Sequence, residues 1–218
     1  LKGFNLAIAT FVSLIFSLAV FAGDVAITID DLPFVGHAKN DPAKLKRQHD
    51  RFMKVIEVLE RDKVPVTGFV VAGSIEHNQE WLLKRFYDMG GIIANHTYSH
   101  PNLNKVGASA YIEDIQMADE ILSPLMSKPK YFRYPFLATG KDCVEFAQVH
   151  NFLLDNGYVI APVTIDSKDY EFNAQYHRIP WRARAGQSDA FKRRYLGYIW
   201  QQTLLAEQKA QRRVGRPI

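Results

Sequence analysis

Short β-branched apolar runs alternate with amphipathic stretches along most of this chain, and that alternation constrains the fold more than any other feature. Val25-Ala26-Ile27-Thr28-Ile29 reads as a buried strand. Asp41-Pro42 opens a helix whose apolar stripe is Leu45, Phe52, Val55, Ile56 and Leu59. Val66 to Val71 is the next strand, and Trp81, Leu82, Phe86 and Met89 mark a helix stopped by Gly90-Gly91. Ile92-Ile93-Ala94 is a third strand, Ser109 to Met126 a helix, and Tyr131-Phe132 a fourth strand. A helix from Val144 to Leu154 leads to a strand over Val159 to Ile165, and a long helix runs from Asp189 to Arg213. Such a succession implies a parallel sheet with helices outside it. An α/β barrel and an open doubly wound sheet both fit, and in both the reactive residues gather at the C-terminal ends of strands.

No repeat, low-complexity stretch or linker divides the chain, so one domain is expected over residues 23–218. At 218 residues, 47% hydrophobic and 23% charged, it can bury a core without disulfides. Cys143 is the only cysteine, which excludes an internal disulfide. It lies in an expected helix over Lys141 to Asn156 and reads as a packing residue.

Lys2 and the apolar run from Phe4 to Phe21, followed by Val20-Phe21-Ala22, have the form of a signal peptide over residues 1–22, cleaved after Ala22. The domain is therefore expected outside the cytoplasm, periplasmic or secreted, with a membrane contact only through this segment if it is not cleaved. The net charge of +4 is uneven, because ten Lys and Arg from Arg178 onward face only Asp189 and Glu207. That basic stretch reads as a solvated helix face. No aromatic-interleaved basic motif marks it for nucleic acid.

Four polar clusters follow successive strands: Asp30-Asp31 the first, His96-Thr97-Tyr98-Ser99-His100 the third, Arg133-Tyr134-Pro135-Phe136 the fourth, and Asp166-Ser167-Lys168-Asp169-Tyr170 the fifth. Strand ends of one sheet can bring these into one pocket. Two histidines four residues apart fit one side of a helical turn, and with one carboxylate they make three ligands and an open position, the pattern of a catalytic zinc site. Adjacent aspartates repel each other unless a cation takes one, which leaves the second as a base. Without a metal, Asp-Asp-Leu-Pro is equally a capping turn. Arg133 is suited to bidentate orientation of a carboxylate, and Pro135 to fixing a backbone N–H toward an oxyanion.

Together these clusters resemble the polysaccharide deacetylases with the NodB homology domain, carbohydrate esterase family 4. Thr28-Ile29-Asp30-Asp31 is similar to that family's first motif, and Asn95 through Leu103, with His96 and His100 inside it, to its second. Phe132-Arg133-Tyr134-Pro135-Phe136 resembles the third and Asp166 to Tyr170 the fourth, in the family's order. The resemblance implies a distorted (β/α) barrel. It implies Asp30 as general base and Asp31, His96 and His100 as ligands to Zn2+ or another divalent transition metal. Arg133 would hold Asp30, the Phe136 N–H would meet the oxyanion, and Asp166 would tune a catalytic histidine. Phe136 stands where the family has Tyr, and Tyr170 where it has Trp.

The family's fifth motif is an apolar strand ending in a histidine that protonates the leaving amine. No histidine follows His177, itself read as a loop residue, and the long helix ends near Arg213 before Gly215-Arg216-Pro217-Ile218. The expectation is a catalytic domain that is C-terminally incomplete, without its final strand and with an unpaired sheet edge. Loss of that acid slows expulsion of an amine by roughly 10² to 10⁴-fold and matters less for an ester. The expected function is removal of N-acetyl, or O-acetyl, groups from an extracellular glycan. The alternatives are a carbohydrate-binding pseudoenzyme and a metal-dependent hydrolase of non-sugar C–N bonds. Tyr98, Tyr134 and Tyr170 favour a sugar; which glycan, and the oligomeric state, are left open.

Overall fold

The computed structural model describes residues 25–36, 38–39, 41–76 and 79–214. The expected signal segment and the turn at residues 215–218 lie outside the described residues. The described chain forms two compact units, residues 25–166 and, beyond them, residues 167–214.

The first unit is a five-stranded parallel sheet in chain order: β1 (Ile27–Leu32), β2 (Val66–Val70), β3 (Ile92–Asn95), β4 (Lys130–Phe132) and β5 (Tyr158–Ile160). The helices are α1 (Pro42–Arg61), α2 (Glu80–Asp88), α3 (Leu103–Val106), α4 (Ala108–Leu122) and α5 (Cys143–Asp155). Strand order decides between the two architectures that the alternation allows. A doubly wound sheet reverses direction at a switch point, whereas here every crossover steps the same way. Right-handed crossovers that always step in one direction put the helices on one face, which is the progression of a (β/α) barrel.

Local chemistry explains the elements. Asp41 accepts the N–H groups of Ala43 and Lys44 at 2.9 and 3.1 Å and starts α1, with Pro42 in its first turn. Phe52 and Ile56 of α1 and Leu82, Leu83 and Phe86 of α2 cover one end of the sheet against Val66, Val70 and Ile93. Tyr111 and Ile115 of α4 and Val149 and Leu153 of α5 cover the other, against Phe132 and Tyr158. Gly68 in β2 leaves room for this packing: a Cβ there would lie 2.2 Å from Leu32 Cδ1 and 3.0 Å from Phe86 Cζ.

Several expected boundaries move. β1 does not end before the aspartates but runs through them to Leu32. β5 stops at Ile160 rather than Ile165, because Pro162 has no N–H to continue a ladder. Asp166 therefore does not directly follow a strand. Cys143 is exposed, not packed, since it is the first residue of α5, just past the Asp142 cap. The second unit pairs α6 (Asp169–Arg178) with α7 (Trp181–Val214), and α7 begins well before Asp189. Phe172 packs against Phe191, Tyr195 and Tyr198 with ring centroids 4.9 to 5.9 Å apart. His177 is an exposed residue of α6, not of a loop, because Asp169 to Arg178 is one continuous helix.

Candidate metal centre and active site

Three strand ends build the site. In a regular strand Asp30 and Asp31 would point to opposite faces. Here the pairing with β2 shifts register between Ile29 and Leu32, and Asp31 takes a left-handed backbone, φ 61°. An extra residue of this kind re-aims side chains, and it lets both acids serve one site. The Asp31 carboxylate reaches 3.2 Å from His100 Nε2 and 3.7 Å from His96 Nε2. Asp30 instead meets Arg133 Nη1 at 2.6 Å.

Arg133, one residue past β4 and 4% exposed, ties the two halves together. Its Nη1 also donates to Thr28 Oγ1 at 2.8 Å and its Nε to the Ala161 carbonyl at 3.3 Å, while its guanidinium lies 4.1 Å from the Phe69 ring centroid. A buried cation is tolerable only when it is bonded in this way. The expected bidentate grip does not form: one Nη1 is shared between Thr28 and Asp30, because the Nε edge is turned to Ala161.

The Arg133 carbonyl meets His96 Nδ1 at 2.8 Å. A carbonyl only accepts, so the proton is on Nδ1 and Nε2 presents its lone pair toward Asp31. Burial pushes the His96 pKa down, against the opposing pull of Asp30 and the Arg133 carbonyl, and favours the neutral imidazole that a metal needs.

The ligand atoms of Asp31, His96 and His100 all lie within 4.8 Å of one another. Two atoms about 2.1 Å from a common ion at a tetrahedral angle stand roughly 3.4 Å apart, which matches the 3.2 and 3.7 Å separations. Two imidazoles and one carboxylate are also a borderline-soft donor set suited to zinc, and the His96–carbonyl contact is the usual outer support of such a ligand. These residues fit a divalent transition metal.

The histidines do not lie on a helical turn. They flank a loop in which Thr97 and His100 have φ 69° and 57°. Each of its successive N–H groups meets a side-chain oxygen: Thr97 donates to Asn95 Oδ1 at 2.7 Å, Tyr98 and Ser99 to Asp114 Oδ2 at 2.8 and 2.9 Å, and His100 to Thr97 Oγ1 at 3.1 Å. Asp114, on α4, is absent from the sequence reading. An acid in an amphipathic helix looks like any surface acid, and only its fold neighbours distinguish it.

Phe136 is 65% exposed, its ring centroid 4.6 Å from that of His100, and its backbone is left-handed at φ 56°. Tyr134 is buried and stacked on Tyr111 at 6.1 Å, with its pKa pushed up to about 12 by burial, so its ring face is not open to solvent. Tyr98 is half-buried against Gly73. Asp166, expected to tune a catalytic histidine, is exposed, six residues past the end of β5.

The polysaccharide deacetylase family model matches residues 21–153, more than half of the chain and all of the ligand and arginine positions. The chain belongs to the polysaccharide deacetylase family. It is 30% identical over 132 residues to a peptidoglycan-N-acetylglucosamine deacetylase of Bacillus cereus, which covers 60% of this chain and 42% of that protein. It is 26% identical over 153 residues to a chitin deacetylase of Arthroderma benhamiae, covering 68% and 36%. The solved chitin deacetylase of Colletotrichum lindemuthianum superimposes with a TM-score of 0.53 at 27% identity, over 68% of this chain and 58% of that one. The chain thus spans about two fifths of the length of the first two deacetylases.

Proposed function

We propose that this protein is a metal-dependent hydrolase that removes acetyl groups from an extracellular glycan. One observation carries the reading: a half-exposed carboxylate, Asp30, is held by a buried arginine directly beside the Asp31, His96 and His100 cluster. The deacetylase family membership agrees with it, and so does a relative that acts on peptidoglycan by its name.

Asp31, His96 and His100 would hold the metal, with zinc best suited to the donors. A divalent ion there supplies positive charge that polarises an acetyl carbonyl and makes a water acidic. Asp30 is the base. Arg133, itself anchored on Thr28, holds one oxygen of its carboxylate, and the other is left to take a proton from the attacking water. Oxygen then bonds to the acetyl carbon, and the former carbonyl oxygen carries the negative charge. The Phe136 N–H, aimed by the left-handed turn after Pro135, donates to that oxyanion. When the C–N or C–O bond breaks, the leaving atom needs one proton, and the proton taken by Asp30 is the one this cluster can return. Acetate and a free amine or alcohol result.

The location outside the cytoplasm rests on Lys2 and the apolar run to Phe21. The test is acetate release from chitin oligomers, peptidoglycan and acetylated xylan by metal-stripped protein, before and after zinc is added. Release that appears with zinc on one of these supports the reading and names the glycan. Silence on all of them with zinc bound defeats it.

A further inference from the structure

We infer that Asp114 is a positioning residue for the second histidine ligand, a role that rests on the metal-site reading above. His96 is placed twice over, by the end of β3 and by the Arg133 carbonyl against its ring. Among the described residues the His100 ring shows no such carbonyl contact; the rings beside it are His96 at 5.0 Å and Phe136 at 4.6 Å, both between centroids. Its position is inherited from the backbone of residues 97–100. That backbone is unfavourable by itself, since a β-branched threonine and a histidine both sit at positive φ. Such conformations persist only where their surroundings over-determine them.

Asp114 provides that surrounding. Its Oδ2 accepts the Tyr98 N–H at 2.8 Å and the Ser99 N–H at 2.9 Å, and its Oδ1 accepts the Ser99 hydroxyl at 2.7 Å. The Asp114 carbonyl accepts from Tyr98 N–H as well, at 3.1 Å. Gly73 receives the other side of the same loop, its N–H donating to the Tyr98 carbonyl at 2.8 Å. A carboxylate that takes three donors at once fixes the middle of the loop to α4, an element packed into the core through Tyr111, Ile115 and Ala118. His100 Nε2 is thereby held at 3.2 Å from Asp31. A pre-formed ligand spares the ion the cost of ordering the loop.

The test is the zinc dissociation constant of the metal-stripped full chain, measured by competition with a chromophoric chelator, for the wild type, Asp114→Asn, Ser99→Ala and, as an exposed neighbour, Glu113→Gln. Asp114→Asn is expected to weaken zinc binding by about 10 to 100-fold, and excess zinc is expected to restore acetate release. Ser99→Ala, which removes the hydroxyl bond alone, is expected to weaken it by about threefold or more, and Glu113→Gln to leave it unchanged. A merely structural Asp114 would lower the melting temperature of the metal-free protein yet leave the zinc constant of folded protein within about twofold; that result overturns the inference. If Asp114→Asn does not fold, Ser99→Ala decides, and an unchanged constant overturns it. A wild type that binds no zinc at all instead defeats the metal-site reading, and this inference with it.

Discussion

Arg133 joins the base to the ligand set: its side chain holds Asp30 and its carbonyl holds the His96 ring. Replacing it with lysine keeps the charge but cannot reach Thr28, Asp30 and Ala161 together. Arg133→Lys is expected to lower kcat for acetate release at least tenfold with zinc affinity nearly unchanged, because the carbonyl remains. Urea unfolding should show a loss of about 1–3 kcal/mol for the charge-assisted bonds that Arg133 makes from its buried position. The residues at this scale were partly legible. Asp31, His96, His100 and Arg133 are carried by spacing and motif order, and the fold brings all four together. Tyr134 was misread, since an aromatic at a strand end gives no local sign of whether it turns to solvent or, as here, onto Tyr111. Asp114 was missed because its meaning lies in three donors on a distant loop.

Two elements do the positioning. The shifted register in β1 turns two consecutive aspartates to one site, and the loop after β3 carries both histidines past Gly73. A Cβ at Gly73 would lie 2.6 Å from the Tyr98 carbonyl oxygen, which is backbone and cannot rotate away. Gly73→Ala is therefore expected to destabilise the fold by about 1–3 kcal/mol in urea and to weaken zinc binding, although Gly73 is no ligand. The α4 and α5 side of the sheet makes a different prediction. Burial raises the pKa of Tyr111, Tyr134 and Tyr158, the last also bonded to Asp119. The unfolded chain loses these protons near pH 10 while the folded one keeps them, so their contribution to stability is full below pH 10 and is lost as pH rises above it. An ultraviolet titration should find these three tyrosines silent until alkaline unfolding. A transition of all ten tyrosines near pH 10 in folded protein would refute their burial. Most elements were legible from periodicity and caps, Asp41-Pro42 among them. Their ends were not: Pro162 cut β5 short, and the register shift that extends β1 through its acids leaves no mark in a run of residue types.

At the scale of the molecule, the strand order separates a barrel progression from a doubly wound sheet, a choice that alternation alone left open. The sheet unit brings Asp31 and the His96–His100 pair, distant in sequence, together at the C-terminal ends of β1 and β3, so the ion should bind the folded chain and not the unfolded one. Zinc at about a hundred times its dissociation constant is then expected to add about 2.7 kcal/mol to unfolding in urea, and His100→Ala to abolish that gain. The central claim is that the adjacent acids divide the work, Asp31 as ligand and Asp30 as base. The measurement that bears on it most directly is zinc content and acetate release, read on the same samples of wild type, Asp30→Asn and His100→Ala. The account predicts that Asp30→Asn keeps its zinc and loses release by at least about 10²-fold, whereas His100→Ala loses both. An Asp30→Asn protein that releases acetate at the wild-type rate, or a His100→Ala protein that keeps full zinc and activity, would contradict it.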